Sequence, residues 1–260
     1  MPEQLPITSI DVYRLEKDVC APYRLSYGSI TKFFATVYRV HAGGCSGLGE
    51  AIVTDHNLAI RLAKGLIGRD ARDLSTTLAH FDVSEFTHRA CREALSFAMA
   101  DLVGKTAETP LWQSFGGTVR DSFPLRPVIF IQDPGEMAKA VGDLLARGFT
   151  AVKIKLSGNV EDGLRGLRSI RGACGDSFDL QADANYGYTD AESFLGMLAQ
   201  CPPGTLNTVE DPSELTFHEY AQLREALVPF QTSLMLDASA RTLDQVEEIC
   251  KTGAADIVNH

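Results

Sequence analysis

The 260-residue sequence lacks the features that mark several large classes of protein. No segment offers the roughly 18 consecutive apolar residues that a membrane-spanning helix requires, so a membrane is not an expected partner. The N-terminal segment "MPEQLPITSIDVYRLEKD" lacks the basic and then apolar layout of a signal peptide, so we expect a cytoplasmic protein. With 24 basic against 34 acidic residues and no basic stripe, nucleic acid is not expected as a partner either.

Two patterns that hold metals, disulfides or cofactors are also missing. The six cysteines are scattered without a C-x-x-C pair, which argues against a zinc site and against a disulfide framework. We therefore expect most of them to be buried free thiols. No G-x-G-x-x-G follows a strand candidate in the second half of the chain, so a dinucleotide-binding fold has no direct support.

The first part of the chain, residues 1–122, has strand patterns followed by helical ones. Alternating or β-branched segments come first, namely "ITSIDVYRLE", "FFATVYRVHA" and "LGEAIV". Helical spacing of apolar residues then takes over in "LAIRLAKGLIG" and "CREALSFAMADLVGK". Strands followed by helices, without alternation between them, predict a small α+β domain.

The second part, residues 123–260, alternates between strand and helix patterns. The strand candidates are "RPVIFI", "AVKIKL", "FDLQAD", "LNTVE", "SLMLD" and "ADIVN", and an amphipathic stretch separates each from the next. Repeated βα units of this size imply parallel strands with right-handed crossovers. A TIM-like (β/α) barrel is therefore preferred to an open doubly wound sheet. Only about six strands can be counted, so the predicted barrel is truncated.

Three acidic residues end successive strand candidates of this barrel. Asp183, Glu210 and Asp237 follow one another at intervals of 27 residues, one βα repeat each. In a parallel barrel this spacing places them on the rim where active sites are built. One acid at a strand end is more often the N-cap of the next helix, but three in register favour a cation site. Carboxylates that converge repel one another unless a cation lies between them, and oxygen ligands suit Mg²⁺.

Two lysines interrupt an otherwise buried strand. By the period of two, Lys153 and Lys155 share one face, whereas Val152, Ile154 and Leu156 share the other. The apolar face is expected to pack on helices, so the lysines point into the barrel, toward the carboxylates. Close to a cation and to each other they lose proton affinity, so that one could act as a neutral base.

Together these motifs resemble one known family. The K-x-K of "VKIKL", "DANYGY", "VEDP" and "LDAS" are similar to the muconate lactonizing enzyme and mandelate racemase subgroup of the enolase superfamily. The likeness continues into the first part of the chain, in "APYRLSYGSITKFFATVYRV", "GLGEA" and "ALSFAMADLVGKTAETPLWQSFGG". That part is similar to the capping domain of the family, and the resemblance covers nearly the whole sequence.

The resemblance implies a role for each site residue. Asp183, Glu210 and Asp237 would bind Mg²⁺, and Lys155 would remove the α-proton of a small carboxylate substrate. Lys153 would tune Lys155 and balance charge, and Asn185 would support the metal ligands. A mobile loop from about Cys20 to Ile30 would touch the substrate, with three candidate residues: Tyr23, Arg24 and Tyr27. Members of the family are commonly multimers, so a homo-oligomer is expected.

Two departures from the family pattern leave alternatives open. Ala238 stands where relatives commonly have glutamate. The sequence also stops at His260, about one position before the lysine expected opposite Lys155, so we expect either a fragment of a longer enzyme or a truncated inactive chain. His260 is more readily interpreted as a tail residue than as a replacement base. A racemase or epimerase ranks first, a dehydratase or cycloisomerase second, and a truncated non-catalytic paralogue third.

Overall fold

The computed structural model describes residues 4–53, 55–79, 81–82, 85–118 and 120–259, without the side chains of residues 21 and 22. The chain forms two compact units. The first unit comprises Thr31–Phe123 and the described residues before position 21, and the second comprises Ala21–Ile30 with the described residues from Pro124 onward. The domain boundary after residue 122 stays a prediction.

The first unit contains a small sheet and helices. Its strands lie in the order β1–β2–β3, with bounds β1 (Ser9–Leu25), β2 (Gly28–Ala42) and β3 (Cys45–Ala51). The last two strands pair antiparallel, with Thr36 opposite Ala51. The helices follow in sequence: α1 (His56–Lys64), α2 (Leu74–Thr77), α3 (Phe86–Thr106) and α4 (Leu111–Ser114). Strands followed by helices is the predicted α+β order.

Helix α3 packs directly against strand β3 because the strand has glycine where the two backbones meet. A Cβ atom added to Gly49 would lie 1.8 Å from the Ala94 carbonyl oxygen, and one added to Gly47 would lie 2.0 Å from that of Ala98. Only glycine permits so close an approach of two backbones. The "GLGEA" segment therefore sets the packing distance in the core of the first unit.

The second unit is a parallel sheet with helices between its strands. In the described part of the chain, six strands pair in sequence order: β4 (Val128–Ile129), β5 (Ala151–Lys155), β6 (Asp179–Asp183), β7 (Thr208–Glu210), β8 (Ser233–Leu236) and β9 (Ile257–Val258). The intervening helices are α5 (Pro134–Ala146), α6 (Val160–Cys174), α7 (Ala191–Leu198), α8 (Phe217–Leu227) and α9 (Leu243–Thr252). This strand order and alternation confirm the predicted barrel-type fold.

Capping side chains start each of these helices shortly after the preceding strand ends. The capping residues, whose side chains accept a hydrogen bond from a first-turn backbone N–H, are Asp133, Asn159, Asp190, Thr216 and Thr242. Thr216 and Thr242 each belong to a capping box. These short, capped connections leave the carboxyl ends of the strands together at one edge of the sheet.

Strand β5 separates apolar from charged residues between its two faces. Val152, Ile154 and Leu156 are buried in the core that the helices cover. Lys153 pairs in register with Gln181, and Lys155 pairs with Asp183 on the neighbouring strand. Because partners in a parallel ladder point to the same side, charged residues of adjacent strands share the face opposite the helices.

Two expectations from the sequence concern membrane-spanning helices and the burial of the cysteines. Within the described ranges, no helix is long and apolar enough to span a membrane.

All six cysteines are free, as predicted. The expectation that most are buried is wrong, because only Cys91 and Cys201 are buried and the other four lie at partly or fully exposed positions.

Candidate active site

The acidic residues predicted from the sequence lie at the carboxyl edge of the parallel sheet. Asp183 and Glu210 are the last residues of β6 and β7 and pair in register. Their side chains are 1% and 0% exposed. Asp237 follows directly after β8 and is the more exposed of the acids at this edge. The structure thus brings Asp183 and Glu210 together as a buried pair, with Asp237 just beyond the end of the neighbouring strand β8.

Lys153 bridges this buried pair. Its Nζ lies 2.8 Å from Asp183 Oδ2 and 2.7 Å from Glu210 Oε2. Burial lowers the pKa of Lys153, but the two carboxylates outweigh burial and raise the pKa above its ordinary value. The expected loss of proton affinity beside a cation stays a prediction, whereas the direct contacts of Lys153 in the structure are two anions. Lys153 is held as an ammonium group.

Lys155 occupies a different environment at the end of the same strand. Its Nζ lies 2.6 Å from Asp183 Oδ2 and 2.9 Å from Asn185 Oδ1, and its side chain is 13% exposed. The Asn185 backbone N–H also donates to Asp183 Oδ1 over 2.9 Å. Asn185 adopts a φ of 44°, in the left-handed region, which turns the chain back toward the strand end. Asn185 therefore fixes both the lysine and the acid beside it.

The electrostatics of the two buried acids differ. Burial raises the pKa of Asp183, but hydrogen bonds from Lys153 and Lys155 outweigh burial and hold the pKa below its ordinary value. Burial also raises the pKa of Glu210, and there the charges of Asp183 and Asp237 add to burial against the opposing effect of Lys153. Asp183 is thus the more readily ionised of the two buried acids.

Three carboxylates at this edge lie close enough to share one cation. Single oxygens from Glu210, Asp211 and Asp237 all lie within 4.8 Å of one another. A set of carboxylate oxygens without nitrogen or sulfur matches the ligand preference of Mg²⁺, so the residues fit such an ion. Asp183 is not in this group, and its Oδ2 contacts both lysines. Its role as a metal ligand stays a prediction.

Asp211 is a residue of the site that the sequence analysis missed. It is completely buried, and its Oδ2 accepts a 2.9 Å hydrogen bond from the backbone N–H of Ala238. Its Oδ1 accepts a 3.4 Å bond from the N–H of Asp237. Burial raises the pKa of Asp211 to about 6. The sequence signal that could have revealed Asp211 is its place as the second acid of "VEDP". Through these two hydrogen bonds its carboxylate positions the backbone that carries Asp237.

Tyr186 and Ser239 are two further residues of the site that the sequence analysis missed. The Tyr186 hydroxyl lies 2.9 Å from Ser239 Oγ, and the Tyr186 N–H donates to the Asp211 carbonyl oxygen over 2.8 Å. Tyr186 therefore joins the segment after β6 to the segments after β7 and β8. The pairing depends on three strand ends meeting in space, which "DANYGY" and "LDAS" do not reveal separately.

The segment predicted as a mobile loop is the end of a hairpin. Strand β1 continues to Leu25 and β2 begins at Gly28, so the turn is short. The Tyr23 ring packs on Phe130, and the Arg24 carbonyl oxygen accepts from the N–H of Ile131 over 3.3 Å. Tyr27 is 72% exposed. Both strands extend almost to the turn, and the expected mobility of this segment stays a prediction.

A cleft connects this hairpin segment with the lysine. The cleft has a volume of about 380 Å³, and Arg24, Lys155 and Arg165 are among the residues that line it. Tyr23 and Tyr27 are not among its lining residues. Substrate contact by the three hairpin residues stays a prediction. His260, considered as a replacement base, lies outside the described residues.

The geometry defines a parallel barrel-type enzyme with paired lysines and strand-end carboxylates, and comparison with known proteins gives its family. Residues 9–116 match the N-terminal domain family of mandelate racemase and muconate lactonizing enzyme. Residues 136–260 match the enolase C-terminal domain-like family. The chain belongs to the mandelate racemase and muconate lactonizing enzyme group of the enolase superfamily. The predictions of this family, of its fold and of an enzyme are confirmed.

Individual relatives carry out several reactions. The chain is 23% identical to N-succinyl-L-Arg/Lys racemase of Bacillus cereus, over 98% of this chain and 72% of that protein. It is 26% identical to cis-3-hydroxy-L-proline dehydratase of Roseibium aggregatum, over 90% and 67%. The crystal structure of a dipeptide epimerase from Cytophaga hutchinsonii, complexed with Mg and D-Ala-L-Val, is similar with a TM-score of 0.85 and 26% identity, over 98% of this chain and 71% of that chain.

Proposed function

We propose that this protein removes the α-proton of a small carboxylate in a Mg²⁺-dependent reaction, and that it is a racemase or epimerase. The observation that carries the proposal is the position of Lys155. Its Nζ lies at the carboxyl end of β5, borders the cleft, and contacts Asp183 and Asn185. A base in this place is within reach of a substrate and of the carboxylate cluster at once.

The acidic residues are assigned to the metal. Asp183, Glu210 and Asp237 would hold Mg²⁺, and Asp211 would keep the Asp237 backbone in place. When bound, Mg²⁺ would offset the negative charge that develops on the substrate carboxylate as the α-proton leaves. Without such compensation an α-proton beside a carboxylate is too weakly acidic to be removed at a useful rate.

The two lysines are assigned separate tasks. Lys155 accepts the α-proton at Nζ, and Asn185 Oδ1 and Asp183 orient that nitrogen. Lys153 remains an ammonium group, because the two carboxylates raise its pKa, and it limits repulsion within the acidic pair.

Relatives indicate which substrates to try first. The Bacillus relative is named for N-succinylated amino acids, and the Cytophaga structure holds a dipeptide. Both are small molecules with an α-proton next to a carbonyl or carboxyl carbon. We therefore propose that the substrate is a small carboxylate of this kind. Cytoplasmic location and a homo-oligomeric state stay predictions.

A second function uses the same first step. After the α-proton leaves, the intermediate can lose a β-substituent or cyclise, and one base then suffices. The dehydratase relative, 26% identical, favours keeping this alternative. A chain that binds neither Mg²⁺ nor substrate would instead be the non-catalytic paralogue.

Proton exchange with solvent tests the proposal. The full chain is incubated with Mg²⁺ and a panel of dipeptides and N-succinyl amino acids in D₂O, and loss of the α-proton signal is followed by NMR. We expect exchange with inversion of the stereocentre. Lys155→Arg cannot release its proton, and we expect it to slow exchange by roughly 10²–10⁴-fold.

The matched control is Lys251→Arg, on the exposed surface of α9, which should exchange at the unaltered rate. Exchange followed by loss of water or by ring closure would select the alternative function. Full exchange by Lys155→Arg would overturn the assignment of the base.

A further inference from the structure

The Gln181 side chain connects the acidic site to the opposite end of strand β6. It is 5% exposed, and its Nε2 donates to Glu210 Oε2 over 2.5 Å. The same nitrogen lies 3.4 Å from Met235 Sδ. Its Oε1 accepts from Arg126 Nη1 over 2.5 Å. Both the oxygen and the nitrogen of this buried amide are therefore engaged.

Arg126 determines which way the amide faces. A guanidinium group can only donate hydrogen bonds, so the Gln181 oxygen must face Arg126 and the amide hydrogens must face Glu210. Arg126 is itself held by an ion pair with Asp179. Asp179 and Gln181 lie on one face of β6, two residues apart, so a single strand face carries both partners of Arg126.

Glu210 needs such a donor because it is completely buried. A buried carboxylate without hydrogen bonds is strongly disfavoured in its charged form. Gln181 engages Oε2, and Lys153 lies 2.9 Å from Oε1 and 2.7 Å from Oε2. The Gln181 amide is itself held at its oxygen by Arg126. Gln181 therefore gives the carboxylate a donor of defined orientation in addition to Lys153.

We propose that Arg126 and Gln181 are positioning residues for the metal site. Arg126 orients the Gln181 amide, and Gln181 holds the Glu210 carboxylate aimed at the position of the ion. Outer hydrogen-bond partners of this kind typically affect metal affinity by about 10–100-fold. The inference rests on the proposed function, since it takes Glu210 as a ligand of Mg²⁺.

Titration of the full chain with Mg²⁺ alone, followed by calorimetry, tests both roles. We expect Gln181→Met, which has similar volume but no donor, to bind Mg²⁺ about tenfold or more weakly than the unaltered chain. Arg126→Met should weaken binding by a smaller factor, and Arg126→Lys, which keeps a donor, should recover part of that loss. The double variant should bind no more weakly than Gln181→Met, because Arg126 acts through Gln181.

Arg224→Met is the matched control. Arg224 is a similarly half-buried arginine that pairs with an aspartate, Asp256, and its substitution should lower the melting temperature without changing Mg²⁺ affinity. Circular dichroism checks folding, and if Gln181→Met does not fold, the two Arg126 variants still decide. Unchanged Mg²⁺ affinity in folded Gln181→Met, or in Arg126→Met, would overturn the positioning roles. Absence of Mg²⁺ binding by the unaltered chain would instead overturn the proposed function on which they rest.

Discussion

The Lys153 ammonium group lies 2.7 Å from a carboxylate oxygen of Glu210, and the carboxylate is completely withdrawn from solvent. The same ammonium lies 2.8 Å from Asp183, which is also buried. One cation therefore serves two acids that would otherwise repel each other in a medium of low dielectric constant. This arrangement distinguishes Lys153, which balances charge, from Lys155, which reaches the cleft.

Removing the Lys153 charge should destabilise the fold. Lys153→Met leaves the buried Glu210 without a cation and Asp183 with Lys155 alone, and we expect the free energy of unfolding to fall by roughly 3–5 kcal/mol. Urea denaturation in the presence of EDTA measures this loss. Adding Mg²⁺ should reduce the deficit, because the ion replaces the missing positive charge beside the acids.

Lys251→Met provides the comparison for this experiment. Lys251 forms an exposed ion pair with Glu247 one helical turn away, and such pairs contribute little. Its substitution should leave the urea midpoint unchanged. If Lys153→Met were as stable as the unaltered chain in EDTA, the bridging role of Lys153 would be wrong.

The Asp211 carboxyl should make stability depend on pH. Burial raises its pKa in the folded state to about 6, so the folded state holds this proton more tightly than the unfolded state. The resulting stabilisation is complete below about pH 4 and is lost as the pH rises through about 6. Its full size is about 3 kcal/mol, from roughly two pKa units.

Asp211→Asn removes this titration and isolates its effect. We expect the unaltered chain to lose about 3 kcal/mol more than the variant between about pH 4 and pH 7, measured by urea unfolding in EDTA. The variant should also be less stable at about pH 4, because an amide offers only one oxygen to the two N–H groups of Asp237 and Ala238, and this difference should shrink as the pH rises to about 7. Parallel stability curves for the two proteins would contradict the raised pKa.

Much of the second unit could be predicted because its sequence repeats one physical pattern. Buried parallel strands need an apolar face toward the helices, and Val152, Ile154 and Leu156 show it. The two-residue period of a strand places the lysines on the other face. The 27-residue interval between βα repeats places the acids at successive strand ends. These features are local, so the sequence alone contains them.

The remaining features depend on which strands become neighbours. Gln181 meets Arg126 only because β4, β5 and β6 pair in one register, and neither residue stands out in its own segment. Asp211 turns its side chain toward β8 because it adopts a φ of 43° after a strand end. The two carboxylates that raise the pKa of Lys153 come from β6 and β7, so this shift also depends on tertiary pairing and is not visible in the β5 pattern.

Tyr186 and Ser239 should be energetically coupled. Their hydroxyl oxygens lie 2.9 Å apart and link the segments that follow β6 and β8. A double-mutant cycle with Tyr186→Phe, Ser239→Ala and both together should give a coupling energy of about 0.5–1.5 kcal/mol in urea unfolding. Both single variants should also weaken Mg²⁺ binding, because Ser239 is two residues from Asp237. Additive effects of the two substitutions would show that the hydrogen bond does not form.

A single methyl group should disrupt the first unit. In Gly49→Ala the new Cβ would lie 1.8 Å from the Ala94 carbonyl oxygen, so helix α3 must move away from β3 along its packed length. We expect a loss of roughly 3 kcal/mol, the upper part of the range for overpacked cores, measured by circular dichroism during thermal unfolding.

The same substitution at Gly142 should have the opposite sign, because α5 has open space there and alanine favours a helix by roughly 0.5–1 kcal/mol. Equal stability of Gly49→Ala and the unaltered chain would mean that strand and helix do not pack backbone against backbone. The difference in sign between the two variants therefore separates the effect of close packing from the general effect of replacing glycine.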